Sequence, residues 1–549
     1  METEVVKADI LCIGAGIAGL MAGIRASELG ARVIIIDKAD NPIRSGCSGL
    51  GNDHFQCYIP EVHGADIAEQ INEFQHSQQG SLRNRIFIRT WLERSFEIVK
   101  LWDSWGIPMK HQGKWEFAGH ALPGKPLTHL HYAGMNQKKV LIEQARKKGA
   151  QVMGRLTGYE LLRGGDGSII GAIAVHNKET KAVVFEAPAV ILGTGAASRI
   201  WPSSTPANMF NTRRSPNNVG DGRAMAYRAG AELVNLEMEM LRCGPKYLAR
   251  SGKASWAGVC RDTDGNPVGP FVTKPDITYG DPIVEAYQGI FDEYAKQGKG
   301  PIYMDCRGLT DEEYEHMVHW MGHEGFRAWF DEMAERNLDF RKNAFEFWTY
   351  ELTPRAGVFY DEKAETSLRG LYAAGDEWTG GISGAAVFGW IAGESAASYI
   401  KNTASSGLHG VQPDTKEKVA ALDEILGRQE GPDWLESNIA LQQLMQDYCG
   451  VSRSEKSLAA GLMYLRRLKT DIGNTLTARN QHELRRCIEV RNIIDLSELI
   501  ILTALERTES REAHRRTDYP YTNRLLEKFL TVRKGADGPV TEWRDLKKN

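Results

Sequence analysis

The chain has 549 residues, 42% of them hydrophobic and 25% charged, with a net charge of −4. That length accommodates two or three domains, the small net charge gives a polyanion no footing, and no apolar run reaches the roughly 18–20 residues of a membrane span. The 8 cysteines are scattered without a CxxC pair, which excludes a zinc-ribbon or ferredoxin-type cluster motif and suits a reducing cytoplasm.

Residues 8–13, ADILCI, predict a short buried strand. GAGIAG follows and places Gly14, Gly16 and Gly19 in GxGxxG spacing, with Ile17 and Ala18 inside the turn. LMAGIRASELG continues with helical periodicity to Gly30, and ARVIIID predicts a second buried strand closing on Asp37. No basic segment precedes the first apolar run, so it reads as this strand and helix and not as a signal peptide. In such a βαβ unit Gly14 permits the tight turn, Gly16 lets the backbone approach a pyrophosphate, Gly19 lets helix and strand pack, and Asp37 holds ribose hydroxyls. The free N–H groups of the helix start favour phosphate. A purely structural glycine turn is the competing reading, and this unit alone leaves NAD against FAD open.

Lys38 and the loop NPIRSGCSGLGNDHF come next, rich in small polar residues able to bend around a cofactor: Ser45, Gly46, Cys47, Ser48 and Gly49. A plain surface loop is the alternative. HALPGKPLTHLHYAGMNQKK offers His120, His129, His131 and Asn136, but the histidines lack HxxxH spacing, so no metal site is expected. APAVILGTGA predicts a strand ending in a second glycine turn at Thr194 and Gly195. NNVGDGRAMAYRAGA opens a helix after Gly220, with Asn218 and Asp221 at its start. MEMLRCGPKYLARSGKASWAGVCRD is rich in anion-binding groups: Arg242, Lys246, Tyr247, Arg250, Lys253, Trp256 and Arg261. Arg355 stands where the chain returns to strand and glycine turn in GLYAAGDE, with Gly375 and Asp376. GGISGAAVFGWIAG, carrying Ser383, Ala385 and Ala386, contains no ionisable residue. Close helix–strand packing alone is the bland explanation for its small residues. The nucleotide domain is therefore discontinuous, 1–235 and 355–405, around an insertion at 236–354. After a polar linker, LAAGLMYLRRLKTDI and ELRRCIEVRNIIDLSELIILTALERT predict a helical region at 412–549.

Taken together, GAGIAG, IRSGCSGLG, VILGTGA, NVGDGRAMA, GLYAAGDE, VFGWIAG and ALERTESREAHRRTDYP resemble the succinate dehydrogenase/fumarate reductase flavoprotein family from residue 8 to about 520. The resemblance implies FAD and an α/β fold: a Rossmann-like FAD-binding domain, an inserted α+β capping domain and a helical C-terminal domain. It also implies that Gly375 and Asp376 approach the ribityl–phosphate region and that Ser383 to Ala386 line the isoalloxazine edge. A helix start near Ala385 would then point its positive end at the flavin.

Three departures matter. GGISGAAVFGW lacks the arginine with which fumarate reductases clamp a carboxylate, and Leu352 stands where that family has a substrate histidine. Arg44-Ser45-Gly46 replaces the R-S-H of covalent attachment, so FAD should be non-covalent. The arginine-free loop, DSWGIPMKHQGKW and GPIYMD are similar to the adenylylsulfate reductase α-subunit branch. The expected function is two-electron transfer on a small, anionic substrate, with Arg355, Arg250, His131, Lys246 and Arg261 as candidate catalytic groups. No second GxGxxG unit is present, so electrons are expected to pass through a ferredoxin-like iron–sulfur subunit. A non-catalytic flavin relay and a stand-alone ene reductase are the alternatives. Glu512, in place of the family's glycine in ESREAH, puts that local backbone in question.

Overall fold

A computed structural model describes residues 1–46, 52, 54–76, 82–117, 127–203, 212, 215–246, 260–268, 290–323, 327–354, 356–375, 378, 381–403 and 414–547. Its centre is a five-stranded sheet in the order Leu371–Ala373, Ala189–Leu192, Ile10–Ile13, Val33–Ile36, Gln151–Met153. Every neighbouring pair is parallel. ILCI, VIII and AVIL are apolar without alternation because both faces of a parallel sheet are covered. A second sheet, Glu2–Lys7, Lys181–Glu186, Ile169–His176 and Leu156–Arg163, packs against the Ala189–Leu192 strand.

On one face the helix Ile17–Glu28 crosses the helix Gly381–Thr403 at very close range. Gly389 and Gly393, four residues apart, sit against the carbonyls of Ala18 and Ala22. A Cβ on Gly393 would fall 2.5 Å from the Ala22 oxygen, and one on Gly389 would overlap that of Ala18. Much of the glycine and alanine content of GGISGAAVFGWIAG is thus accounted for by helix–helix contact. The helix also begins at Gly381, not near Ala385 as the sequence suggested. Burial of Ser383, Gly384 and Ala386 against the domain overrides the weak helix propensity of the first turn.

The insertion builds its own antiparallel sheet, Glu239–Pro245, Phe345–Pro354, Ile302–Met304 and Cys260–Arg261, in that order. Helices Ile290–Lys296, Asp311–His323 and Arg327–Glu335 cover it. Met304, Met317, Trp329, Phe340 and Phe347 form a core separate from that of the rest of the chain, the property that lets a cap move as a unit.

Four helices follow: Asp414–Gly427, Trp434–Tyr448, Glu455–Thr475 and Gln481–Glu506. Asp433 with Glu436, and Ser454 with Ser457, cap the second and third reciprocally. Beyond Glu506 the chain adds what the helical reading left out. Lys528–Lys534 and Pro539–Asp545 form a hairpin whose first strand pairs with Leu233–Val234. Phe529, Leu530, Thr531 and Val532, an aromatic, an aliphatic and two β-branched residues, are buried on that edge. Among the described residues no helix is long and apolar enough to cross a membrane.

Candidate cofactor and substrate site

The first strand ends on Gly14, whose φ of 103° is left-handed and whose missing Cβ leaves room for the Gly193 carbonyl. Gly16 differs: a Cβ there would meet only the Gly193 oxygen, at an ordinary 3.6 Å. The fold itself therefore does not require glycine at 16, and its bareness serves whatever lies outside the turn. Gly16 begins the helix with no side-chain cap and no acid in its first turn. Exposed N–H groups and an unopposed helix dipole are what a diphosphate needs.

Asp37 is buried, and its carboxylate accepts from Ala15 N at 2.9 Å, Ala39 N at 2.8 Å and Ser45 Oγ at 3.1 Å. It knits the glycine turn to the Ser45 loop in addition to any contact with ribose. Lys38 and Asp221, both expected to meet the cofactor, pair with each other at 2.6 Å. Lys38 also donates to the Asn217 carbonyl and to Glu489 Oε1 at 3.0 Å, and Asn492 Nδ2 donates to Asp221 at 2.8 Å. Burial pushes the Glu489 carboxyl up, but Lys38, Arg199 and Arg486 outweigh it and hold the group well below the usual range. This network from the Gln481–Glu506 helix was not legible in the sequence. Its residues come from segments hundreds of positions apart.

Thr194 Oγ1 accepts from the Gly222 amide at 2.9 Å, joining two of the expected loops. Ser198 N donates to the Asn218 carbonyl beside Gly195, and Gly46 has φ 70°. Gly375, at φ 81°, sits between Ala18 and Ala385, so the last glycine turn touches the starts of both crossing helices. Ser383 is buried; its hydroxyl accepts from Trp91 Nε1 at 2.8 Å and donates to the Gln56 carbonyl at 2.5 Å. Ala386 is fully buried and Ala385 half-buried. Ser383 therefore anchors the helix start, and with the start at Gly381 the two alanines belong to its interior. Cys47, Ser48, Gly49 and Asp376 lie outside the described residues.

Gln56 belongs to a short hairpin, His54–Gln56 with His129–His131, in which His54 faces His131. The same hairpin thus ties the glycine helix to the cap. Buried His131 places Nδ1 3.5 Å from Glu116 Oε1, and His111 places Nε2 3.7 Å from Glu116 Oε2. From the cap helix Asp311–His323, His316, His319 and Trp320 project from one face at i, i+3 and i+4. The Trp320 ring centroid is 4.0 Å from that of His131 and 5.2 Å from that of His111. Burial, followed by the charge of His131, depresses His316 to about 4. His131, its Nδ1 3.5 Å away, is the largest influence lowering Glu116. Glu116, His316, His319 and Trp320 were not singled out from the sequence, although EYEHMVHWMGH carries the helical spacing that aligns the last three. Among the described residues no group of His, Cys, Asp or Glu is arranged to hold a metal.

The other candidates separate. Lys246 is committed to Glu346 at 2.7 Å and lies 5.4 Å from the Trp348 ring, within the cap sheet. Arg261 Nη1 donates to the neighbouring Cys260 carbonyl. His129 stacks edge-on with His54, and Asn136 Nδ2 donates to the Gly106 carbonyl. Arg242 sits on the strand Glu239–Pro245. His120, Tyr247, Arg250, Lys253, Trp256 and Arg355 lie outside the described residues. A shallow recess opens beside Trp378, lined by Leu82, Arg83, Asn235, Met238, Ala356 and Glu512. Arg83 Nη2 donates to the Trp378 carbonyl there at 2.8 Å. Glu512 keeps the left-handed backbone a glycine would favour, at φ 52°, in a turn closed by Arg511 and His514.

A βαβ turn with a bare Gly16 and an uncapped helix start, under a separately cored cap, is the arrangement of a dinucleotide-binding protein. Residues 9–389 match the FAD binding domain family, and residues 438–547 match the fumarate reductase flavoprotein C-terminal family. The chain therefore belongs to the succinate dehydrogenase/fumarate reductase flavoprotein family and is an FAD-dependent oxidoreductase.

Relatives span nearly the whole chain at low identity. It is 25% identical to one of the subunits of the fumarate reductase (CoM/CoB) of Methanothermobacter marburgensis, over 95% of this chain and 96% of that one. It is 23% identical to the L-aspartate oxidase of Vibrio cholerae, over 96% of this chain and 98% of that one. Adenylylsulfate reductase from Archaeoglobus fulgidus superposes with a TM-score of 0.84 at 21% identity, covering 100% of this chain and 97% of that chain. An E. coli quinol fumarate reductase superposes at 0.82 with 20% identity, covering 100% and 98%. At these identities the superpositions establish the shared fold.

Proposed function

We propose that the chain is the flavoprotein subunit of a two-component oxidoreductase of the adenylylsulfate-reductase type. Its substrate is a small anion other than succinate or fumarate, FAD is held without a covalent bond, and electrons are exchanged with a ferredoxin-like iron–sulfur partner. The observation that carries the substrate reading is Leu352. It is 4% exposed, in a cap strand returning to the FAD domain, where the family resemblance expects a substrate histidine. The Gly381–Thr403 helix brings no cation to its first four turns. A dicarboxylate brought against such surfaces would lose water without gaining charge-assisted hydrogen bonds.

FAD, when bound, supplies the two-electron chemistry. Gly16, the amides of the Ile17–Glu28 helix start and the Ser45 and Thr194 loops are suited to hold it. His131 is the group best placed to move a proton: its Nδ1 lies 3.5 Å from Glu116, and its ring packs against Trp320 of the cap. Arg355 and Arg250 are the proposed anion anchors, Arg355 three residues beyond Leu352 on the return from the cap. Lys246 and Arg261 are weaker candidates, because Glu346 neutralises Lys246 and Arg261 bonds back to its own strand.

The electron partner follows from what the chain does not offer. No second dinucleotide turn is present in the sequence. The described cysteines, Cys12, Cys57, Cys260, Cys306, Cys449 and Cys487, are all buried and unbridged. Burial pushes five of their thiols, all but Cys260, up to about 12, which makes them poor redox groups. The reading is tested by steady-state turnover with succinate plus an electron acceptor, and with fumarate plus a reduced viologen. Each missing charged anchor should cost about 2–5 kcal/mol, or roughly two to four decades in kcat/KM. Efficient turnover of either acid at micromolar concentration overturns it.

A further inference from the structure

We infer that Lys138 is the counter-cation for the cofactor's diphosphate. Lys138 is the second residue of the helix Gln137–Lys147 and is only 2% exposed. Its ammonium donates to the Ala15 carbonyl, inside the GxGxxG turn, and lies 3.5 Å from Ser45 Oγ, in the second cofactor loop. An ammonium has three donors. The third has no hydrogen-bond partner among the described residues, and Lys138 forms no ion pair among them.

A buried cation without a carboxylate against it is costly, by several kcal/mol in general. The surrounding charges say what compensates it. Asp37 accepts from Ala15 N and Ser45 Oγ, so one carboxylate is already fixed on these two loops. A diphosphate brought to the uncapped start of the Ile17–Glu28 helix adds two more negative charges beside it. The half-charge of a helix terminus does not balance three anionic charges. Lys138, on a separate helix packed against that terminus, supplies the missing positive charge at the point where both loops meet. Of the cations close to this end of the sheet, Lys38 is committed to Asp221 and Glu489, and Arg155 and Lys178 lie at the exposed surface around Asp40.

Burial pulls the Lys138 amine down to about 8, with Asp37 pushing back up. Without cofactor the amine is thus partly neutral near that pH. A bound diphosphate favours the charged form, so binding takes up a proton above pH ~8, and affinity falls as pH rises through that range.

The test is calorimetric titration of the FAD-free protein with FAD, ADP and adenosine. Wild type is compared with Lys138→Met, Lys138→Gln and Lys138→Arg, and circular dichroism and thermal melts establish that each variant is folded. Lys138→Met should weaken FAD and ADP by about 30- to 1,000-fold, leave adenosine within about threefold, and be largely rescued by arginine. In wild type at pH 8.5, titrations in buffers of different ionisation enthalpy should show net proton uptake with FAD and ADP but not with adenosine. Unchanged FAD affinity in both neutral variants overturns the inference. So does an equal loss for adenosine and ADP, which would make Lys138 a clip between loops, or the absence of proton uptake by wild type, which requires no variant.

Discussion

Two helices of the molecule present faces made of opposite material. On the nucleotide side, Gly389 and Gly393 of the helix Gly381–Thr403 shrink to backbone so that Ala18 and Ala22 can approach. On the cap side, His316, His319 and Trp320 of the helix Asp311–His323 project rings onto His111 and His131. The first contact brings backbone to backbone and has no room for adjustment. The second is made of rotatable, titratable rings between two separately cored units. A dinucleotide can be held by the first kind of surface, because backbone amides and a helix terminus recognise phosphate. Substrate choice and proton handling need the second.

The largest effect that would break this contrast is expected at Gly16. Gly16→Val should leave the melting temperature of the FAD-free protein nearly unchanged, since its Cβ meets only one atom at ordinary contact distance. FAD affinity should nevertheless fall by at least about 1,000-fold, roughly 4 kcal/mol. Flavin fluorescence titration reads the affinity and a thermal melt reads the fold; a variant that keeps FAD would return Gly16 to a structural role. Next in size, Gly393→Val should cost stability, by about 3 kcal/mol from overpacking against Ala22, visible in urea unfolding of the FAD-free chain.

The cap side should respond to acid. Burial holds His316 near 4 against an ordinary 6.5, so the folded form disfavours its protonation. Its contribution is intact above pH 6.5 and is lost as pH falls through the range down to about 4. Discounted for partial exposure, the loss should be about 1–2 kcal/mol. The charged and titratable groups facing it are His131, Glu116, His319 and His111. Urea unfolding at pH 7 and pH 5 should therefore show a destabilisation that His316→Asn reduces; an identical pH dependence in the variant would remove His316 from the cause. The smallest effect is a gain. Glu512→Gly should relieve the left-handed strain at φ 52°, and after the entropic cost of glycine a net stabilisation of about 0.5–1 kcal/mol remains. A lower melting temperature would mean that the Glu512 side chain contributes more than its backbone costs.

The same contrast explains what could be read ahead of the structure. Gly14, Gly16, Gly19 and Asp37 are legible because a phosphate turn needs particular residues at short, fixed spacing. The parallel sheet is legible because ILCI, VIII and AVIL are apolar on both faces. Lys38–Asp221–Glu489 was hidden, since each partner comes from a different segment and a charged residue on an amphipathic helix reads as solvated. The Glu116–His131–Trp320 contact was hidden because the cap had to be docked before its ring-bearing face had an address. The terminal hairpin was missed because FLTVRK is short and follows a long helical run. The helix start at Gly381 was misplaced because Gly, Ile, Ser, Gly reads as a loop until Ser383 finds Trp91 and Gln56.

The most direct test of the two-component reading is anaerobic purification of the tagged chain from its native source. Iron, acid-labile sulfide and flavin are then quantified in the intact complex. Co-purification of a small partner protein with about four or more iron atoms per FAD, and FAD released intact on acid precipitation, is the predicted result. An iron-free single chain that turns over its substrate at full rate with NAD(P)H or free reduced flavin would contradict it.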